Sequence, residues 1–162
     1  PELIHKKINI LHKTLQQDFS IIKPKIAVLS INPHAGDNGI IGNEDTTIVL
    51  PTLEAIQKEG ILVYGPYAAD SFFGSGNYKN FDAILASYHD QGLTAFKTLS
   101  FGKGVNYTAG LDKIRTSPDH GTAFEISGKG EASASSFKEA VFQAISIYKT
   151  RKENEFLRQN AL

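Results

Sequence analysis

Apolar residues recur at three- and four-residue spacing through Leu3, Ile4, Ile8, Leu11, Leu15 and Phe19, with Lys and Gln between them. That period predicts an amphipathic helix buried along one face. Pro24 ends it, and Lys25–Ile31 (KIAVLSI) is aliphatic and β-branched, which predicts a buried strand. Helical spacing returns over residues 44–59, with Ile48, Leu53 and Ile56 inward, Gly60 as the stop and Pro51 marking a kink or a first turn. Ile61–Tyr64 predicts a short strand before Gly65-Pro66-Tyr67. Residues 68–76 carry Asp70 as an N-cap and the adjacent Phe72 and Phe73 as core or subunit interface. The central stretch is Phe81–Gly92 (FDAILASYHDQG). Its run Ala83–Ala86 predicts a strand covered on both faces, ending in Tyr88, His89, Asp90 and Gln91. Leu93, Phe96 and Leu99 predict a short helix that carries Lys97; Gly102–Leu111 holds a strand around Asn106, and Ile114–Ser117 is a further extended piece. A last long helix runs from about Ala134 to Leu157, with Phe137, Val141, Ile145 and Tyr148 on one face.

Strands alternating with helices favour a three-layer α/β sandwich with a largely parallel sheet. At 162 residues the chain fits one α/β domain with a full core. Lys+Arg and Asp+Glu both number 17, so nothing suggests a nucleic-acid tail or a polybasic membrane anchor. No stretch reaches the roughly 18 apolar residues of a membrane span, and no leader is visible, which predicts a cytoplasmic protein. There are no cysteines, so a metal must be held by His, carboxylate or backbone oxygen. The sequence starts at Pro1 and has no Met, which suggests a piece of a longer chain.

Two predicted strands deliver an imidazole to their carboxyl ends, where open α/β sheets bind ligands: His89, and His34 in the loop NPHAGDNG. If those strands are neighbours, both rings share one sheet edge. Two imidazoles without thiolates suit Zn, Co, Mn or Fe(II), with a third ligand to come from Asp90, Asp119, His120, another domain or another subunit. Each His equally suits a local structural role, His89 as the cap of the next helix, and His5 and His12 read as helix-face residues. Lys97, Asn106 and Arg115 would make a phosphate or carboxylate site if they converge, and are unrelated surface residues if they do not. The glycine loop after His34 is neither a Walker A nor a Rossmann fingerprint, so a dinucleotide would not bind in the Rossmann manner.

NPHAGDNG with a later Gly42, GPYAAD, YHDQGL with Lys97 downstream, GVNYTAGL and IRTSPDHGTAFEISGKG occur in order. Together they resemble the C-terminal part of the 4-hydroxythreonine-4-phosphate dehydrogenase family over about Pro1–Tyr148. The resemblance implies a lobe of an isocitrate/isopropylmalate-dehydrogenase-like fold in a longer two-lobed chain. It implies NAD-dependent oxidation and decarboxylation of 4-phosphooxy-L-threonine in pyridoxal phosphate biosynthesis. It also implies a homodimer with the active site at its interface and a divalent metal (Zn, Co, Mg or Mn) on three histidines. His34 and His89 match two of these. Lys97, Asn106 and Arg115 match substrate-binding positions, with Lys97 and Asp90 as catalytic candidates. Asp119, His120, Gly121 and Thr122 resemble the adenosine-binding loop. The third histidine lies upstream of Pro1 in the family, so the isolated chain is expected to be inactive. The alternatives are a paralogue acting on threonate or erythronate 4-phosphate, and a non-catalytic dimerisation or ligand-binding module.

Overall fold

The computed structural model describes residues 1–100, 102–121 and 124–160. Helix α1 (Glu2–Asp18) leads into strand β1 (Lys25–Leu29). A wide π-type turn (Asp45–Val49) then opens helix α2 (Leu50–Lys58). The predicted single helix is therefore two segments, and Pro51 is the reason: it has no amide to donate back, and its ring crowds the carbonyl one turn earlier. Strand β2 (Leu62–Tyr67) is longer than its sequence suggests and continues through Gly65-Pro66. Short helix α3 (Ala69–Gly74), strand β3 (Ala83–Leu85) and helix α4 (His89–Ser100) follow.

The three strands form one parallel sheet in the order β2-β1-β3. Ala27 faces Tyr64 and Leu29 faces Tyr67, so β2 carries one extra residue, a bulge. Gly65 permits it: its φ is 137°, and a Cβ there would lie 2.4 Å from the Val28 carbonyl oxygen.

Side-chain alternation along β1 builds both cores. Ile26 and Val28 join Val63, Ile8 and Leu15 of α1, and Leu53 and Ile56 of α2 on one face. Ala27 and Leu29 meet Phe72 and the half-buried Tyr67, Phe81 and Ile84 on the other. Tyr67 stacks on Phe72 with ring centroids 5.1 Å apart. Each fully buried aliphatic side chain here contributes about 1.5–3 kcal/mol relative to exposure. Helices on both faces make the predicted three layers. β3 departs from expectation: its three residues are only half-buried. It is the outer strand, and its free flank opens into a hollow of about 780 Å3 lined by Phe73, Tyr78, Phe81, Leu93 and Phe96.

Strands β4 (Val105–Tyr107) and β5 (Thr116–Pro118) form a separate antiparallel pair, so this part of the chain is not parallel sheet. The hairpin lies on the long helix α5 (Ser135–Gln159), with Thr116 Oγ1 donating to the Ala140 carbonyl at 2.9 Å. The buried side of α5 is Ala140 and Ile147, and the aligned Phe137, Val141, Ile145 and Tyr148 are solvent-exposed. That apolar row exists as read, but it is not the face that meets the rest of this chain.

The hairpin and α5 are moored to α1 by a buried polar cluster. Arg151 donates to Asp18 through Nε (2.6 Å) and a terminal nitrogen (3.0 Å), and Tyr107 donates its hydroxyl to the same carboxylate at 2.5 Å. Burial alone would raise the Asp18 pKa, but the hydrogen bonds from Arg151 and Tyr107 outweigh it and hold the carboxyl below its ordinary value. Burial first, then the bond to Asp18, pushes the Tyr107 hydroxyl up to about 12.

Candidate active site

β1 hands the chain directly to the His34 loop. At the junction the Asp45 carboxylate, 1 % exposed, accepts the Ile31 N–H on one oxygen and the Asn32 N–H on the other, each at 2.8 Å. Ser30 Oγ donates to the Asn32 carbonyl at 2.7 Å, and Asn32 Nδ2 donates to Glu44 at 2.7 Å. The Asn32 bond is the main cause that lowers the Glu44 pKa. Beyond Pro33 the backbone turns left-handed for five residues, with φ of 52° at His34, 53° at Ala35, 88° at Gly36, 44° at Asp37 and 54° at Asn38. Asp, Asn and His visit that region more often than other side chains, whereas for Ala it costs roughly 1–2 kcal/mol. Gly36 has no substitute: a Cβ there would sit 2.2 Å from the Gly42 carbonyl oxygen. The turn is closed by Ile41 N–H donating to the Gly36 carbonyl at 3.1 Å.

The adjacent strand β3 delivers the second imidazole. Because β1 pairs with β3, His34 and His89 follow neighbouring parallel strands at the same sheet edge. His89 opens α4, and its Nδ1 bonds Asp90 Oδ1 at 2.7 Å. The carboxylate engages Nδ1, so Nε2 is the ring nitrogen left to meet a ligand, the arrangement of a carboxylate-oriented metal ligand. Both groups are well exposed, so the contact orients more than it stabilises. Gln91, one turn position on, donates Nε2 to the Ser30 carbonyl at 2.8 Å and ties the start of α4 to the end of β1.

A hollow of about 350 Å3 at this edge is lined by Asn32, His34, Asp70, Tyr88 and Gln91. Asp70 is here because of where α3 starts. The N-cap is Ala68 and makes no side-chain cap bond, so the expectation of Asp70 as cap is corrected: it lies in the first turn, exposed. His89 lines the neighbouring, larger hollow beside Tyr88.

Two exposed imidazoles, His34 in the turn after β1 and His89 at the start of α4, present nitrogen donors of the kind a divalent cation takes, and they line neighbouring but separate hollows. Among the described residues no group of three or more His, Asp or Glu is placed to hold a metal. His5 bonds Glu59 at 2.8 Å. His12 is half-buried, and burial lowers its pKa.

The anion-site candidates are divided. Lys97, on α4, shares a hollow of about 400 Å3 with Asp119, His120, Ser133 and Ser135. Asn106 and Arg115 lie on the hairpin: Asn106 pairs with Ser117, and Arg115 donates to Thr108 Oγ1 at 3.0 Å. The structure thus joins Lys97 to the proposed adenosine-loop residues rather than to Asn106 and Arg115. In that loop His120 Nδ1 contacts the Gly121 carbonyl at 2.9 Å; Thr122 lies outside the described residues. Sequence reading missed Asp45, whose only signal is an acidic residue beside a helix start, and left Gln91 without a role.

Known structures place this architecture. The chain superposes on the 4-hydroxythreonine-4-phosphate dehydrogenase of Klebsiella pneumoniae with TM-score 0.75 at 40% identity, covering 89% of this chain and 44% of that one. It superposes on a terephthalate 1,2-cis-dihydrodiol dehydrogenase of Burkholderia xenovorans with TM-score 0.68 at 26% identity, covering 88% of this chain and 45% of that one. The fold is a lobe of the isocitrate/isopropylmalate-dehydrogenase-like α/β class. The model of the family described as pyridoxal phosphate biosynthetic protein PdxA matches residues 1–144, and the chain belongs to that family. It is 55% identical over 161 residues to the 4-hydroxythreonine-4-phosphate dehydrogenase of Bacteroides thetaiotaomicron, which covers 99% of this chain and 44% of that protein. It is 51% identical over 145 residues to that of Prosthecochloris aestuarii, covering 86% of this chain and 43% of that protein. The chain spans a little under half the length of the curated relatives it matches. Among the described residues no helix is long and apolar enough to cross a membrane.

Proposed function

We propose that this chain supplies the histidine-bearing lobe of an NAD- and metal-dependent dehydrogenase that oxidises and decarboxylates 4-phosphooxy-L-threonine on the route to pyridoxal phosphate. The observation that carries the reading is the delivery of His34 and His89 by adjacent parallel strands to one sheet edge, in a chain 55% identical to a protein named for that activity. When bound, the divalent cation supplies Lewis-acid charge that lowers the pKa of a substrate hydroxyl, and NAD supplies the hydride acceptor. His34 and His89 hold the cation, and Asp90 fixes the His89 ring from its Nδ1 side. Lys97, Asn106 and Arg115 are the substrate-binding candidates that the family resemblance implies, although within this chain Lys97 stands apart from the hairpin pair, and Lys97 is also the candidate to move a proton. Asp119, His120, Gly121 and Thr122 bind the adenosine end of NAD. The active unit is a homodimer with the site at its interface.

The likeness to a dehydrogenase named for a terephthalate dihydrodiol supports a second reading, in which this chain serves a paralogue with another hydroxy substrate, such as threonate or erythronate 4-phosphate. The test of both is a chimera carrying this chain in place of the matching segment of the Bacteroides thetaiotaomicron relative. Expected is NADH production from 4-phosphooxy-L-threonine with a divalent cation, lost in His34→Ala and His89→Ala. A chimera that reduces NAD with erythronate 4-phosphate in preference would replace the first reading with the second. A chimera in which both histidine variants keep full activity would leave neither.

A further inference from the structure

Asp45 is a buried carboxylate with an unusual set of partners. Both oxygens accept backbone N–H groups, those of Ile31 and Asn32, and no cation pairs with it among the described residues. Its charge is supported instead by those two amide dipoles and by its place in the first turn of the helical segment that leads into α2. The two amides it grips are the last before Pro33, which starts the left-handed run 34–38. Strand pairing stops there: β1 ends at Leu29. The amides of Ile31 and Asn32 would otherwise be unpaired, and a left-handed path through His34 and Ala35 persists only where its surroundings over-determine it.

From this geometry we infer that Asp45 is a positioning residue. Its carboxylate, not its bulk, fixes the exit of β1 so that the turn presents His34 at the edge shared with His89. The requirement is for two acceptors on one group. An amide at this place offers one acceptor and sets its NH2 against the other backbone N–H. The consequence for cation binding rests on the proposed function; the hold on the turn does not.

Asp82 supplies a control. Its exposed Oδ2 accepts a single backbone N–H, that of Lys25, at 2.8 Å at the opposite end of the same strand. The experiment records backbone carbon chemical shifts of residues 33–39 in the unsubstituted chain, in Asp45→Asn and in Asp82→Asn, followed by a Co2+ titration of each. Expected is loss of the left-handed shifts at His34 and Ala35 in Asp45→Asn alone, with the resonances of β1 and β2 in place, and Co2+ binding weakened about 10–100-fold. A structural role without positioning would lower thermal stability and leave the turn shifts and the Co2+ affinity of the folded protein unchanged, and that result overturns the inference. If Asp45→Asn does not fold, hydrogen exchange on the unsubstituted chain decides: the Ile31 and Asn32 amides should be protected like those of β1, and free exchange there overturns the inference. If Co2+ perturbs neither imidazole of the unsubstituted chain, the metal reading fails, while the shifts still judge Asp45.

Discussion

Two neighbouring residues of the histidine turn have opposite requirements. Gly36 combines φ of 88° with no room for a Cβ, whereas Ala35 holds φ of 53° and already carries one. Gly36→Ala must move the Gly42 backbone and should cost about 2–3 kcal/mol, read as a shift of the urea midpoint at constant slope. Ala35→Gly relieves roughly 1–2 kcal/mol of left-handed cost and adds about 0.5–1 kcal/mol of chain entropy. It should therefore stabilise by about 0.5–1 kcal/mol. A destabilised Ala35→Gly would mean that the turn is not left-handed in solution. His34 itself was legible, because a His after an aliphatic strand is visible in the sequence. The conformation that carries it was not, since nothing local in His-Ala marks a positive φ; the cause lies in Asp45, eleven residues further on.

At the scale of elements, the Asp18–Arg151–Tyr107 cluster joins the end of α1 to β4 and α5. Asp18 is 3% exposed and Arg151 26%. Asp18→Asn leaves a buried guanidinium short of its counter-charge and should cost about 3 kcal/mol, the lower end for a broken buried pair because Arg151 keeps some solvent. The sign of the pH dependence follows from the two shifts. Asp18 is lowered, so its contribution is full above the unfolded value near pH 4 and is lost as pH falls through the folded value. Tyr107 is raised, so its contribution is full below about pH 10 and is lost as pH climbs towards about 12. Denaturant titrations across both limbs should show the acid loss removed in Asp18→Asn and the alkaline loss removed in Tyr107→Phe; unchanged limbs would discount the cluster. Periodicity made the existence of α1, β1, α4 and α5 readable, together with the strand-to-histidine junctions. It could not show that three polar residues far apart in sequence meet, nor which side of α5 would be covered. α5 is apolar on both sides: the small Ala140 fits close against β5, and the larger Phe137 row is left outward.

At the scale of the whole molecule, two apolar surfaces have no partner among the described residues: the free flank of β3 and the outer row of α5. Phe137 is 63% exposed, Tyr148 56% and Ile145 46%. Aligned on one helix face, these exceed the scattered apolar exposure usual on a monomer surface. The chain also spans only 44% of its Bacteroides relative. On its own, this chain should bury them against themselves. Sedimentation velocity should show association that grows with concentration, and a hydrophobic dye should bind and be displaced as the species grows. Phe137→Glu with Ile145→Glu should return the α5 face to a monomer. Folding stability should change by no more than about 0.5 kcal/mol, because neither side chain packs inside the fold. If the double variant unfolds the chain instead, the row is part of the core in solution and α5 is rotated from the position described. If the unsubstituted chain stays monomeric at high concentration and binds no dye, the exposed row is covered from within. The hairpin carrying Asn106 and Arg115 would then sit elsewhere, since it is α5 that fixes its position.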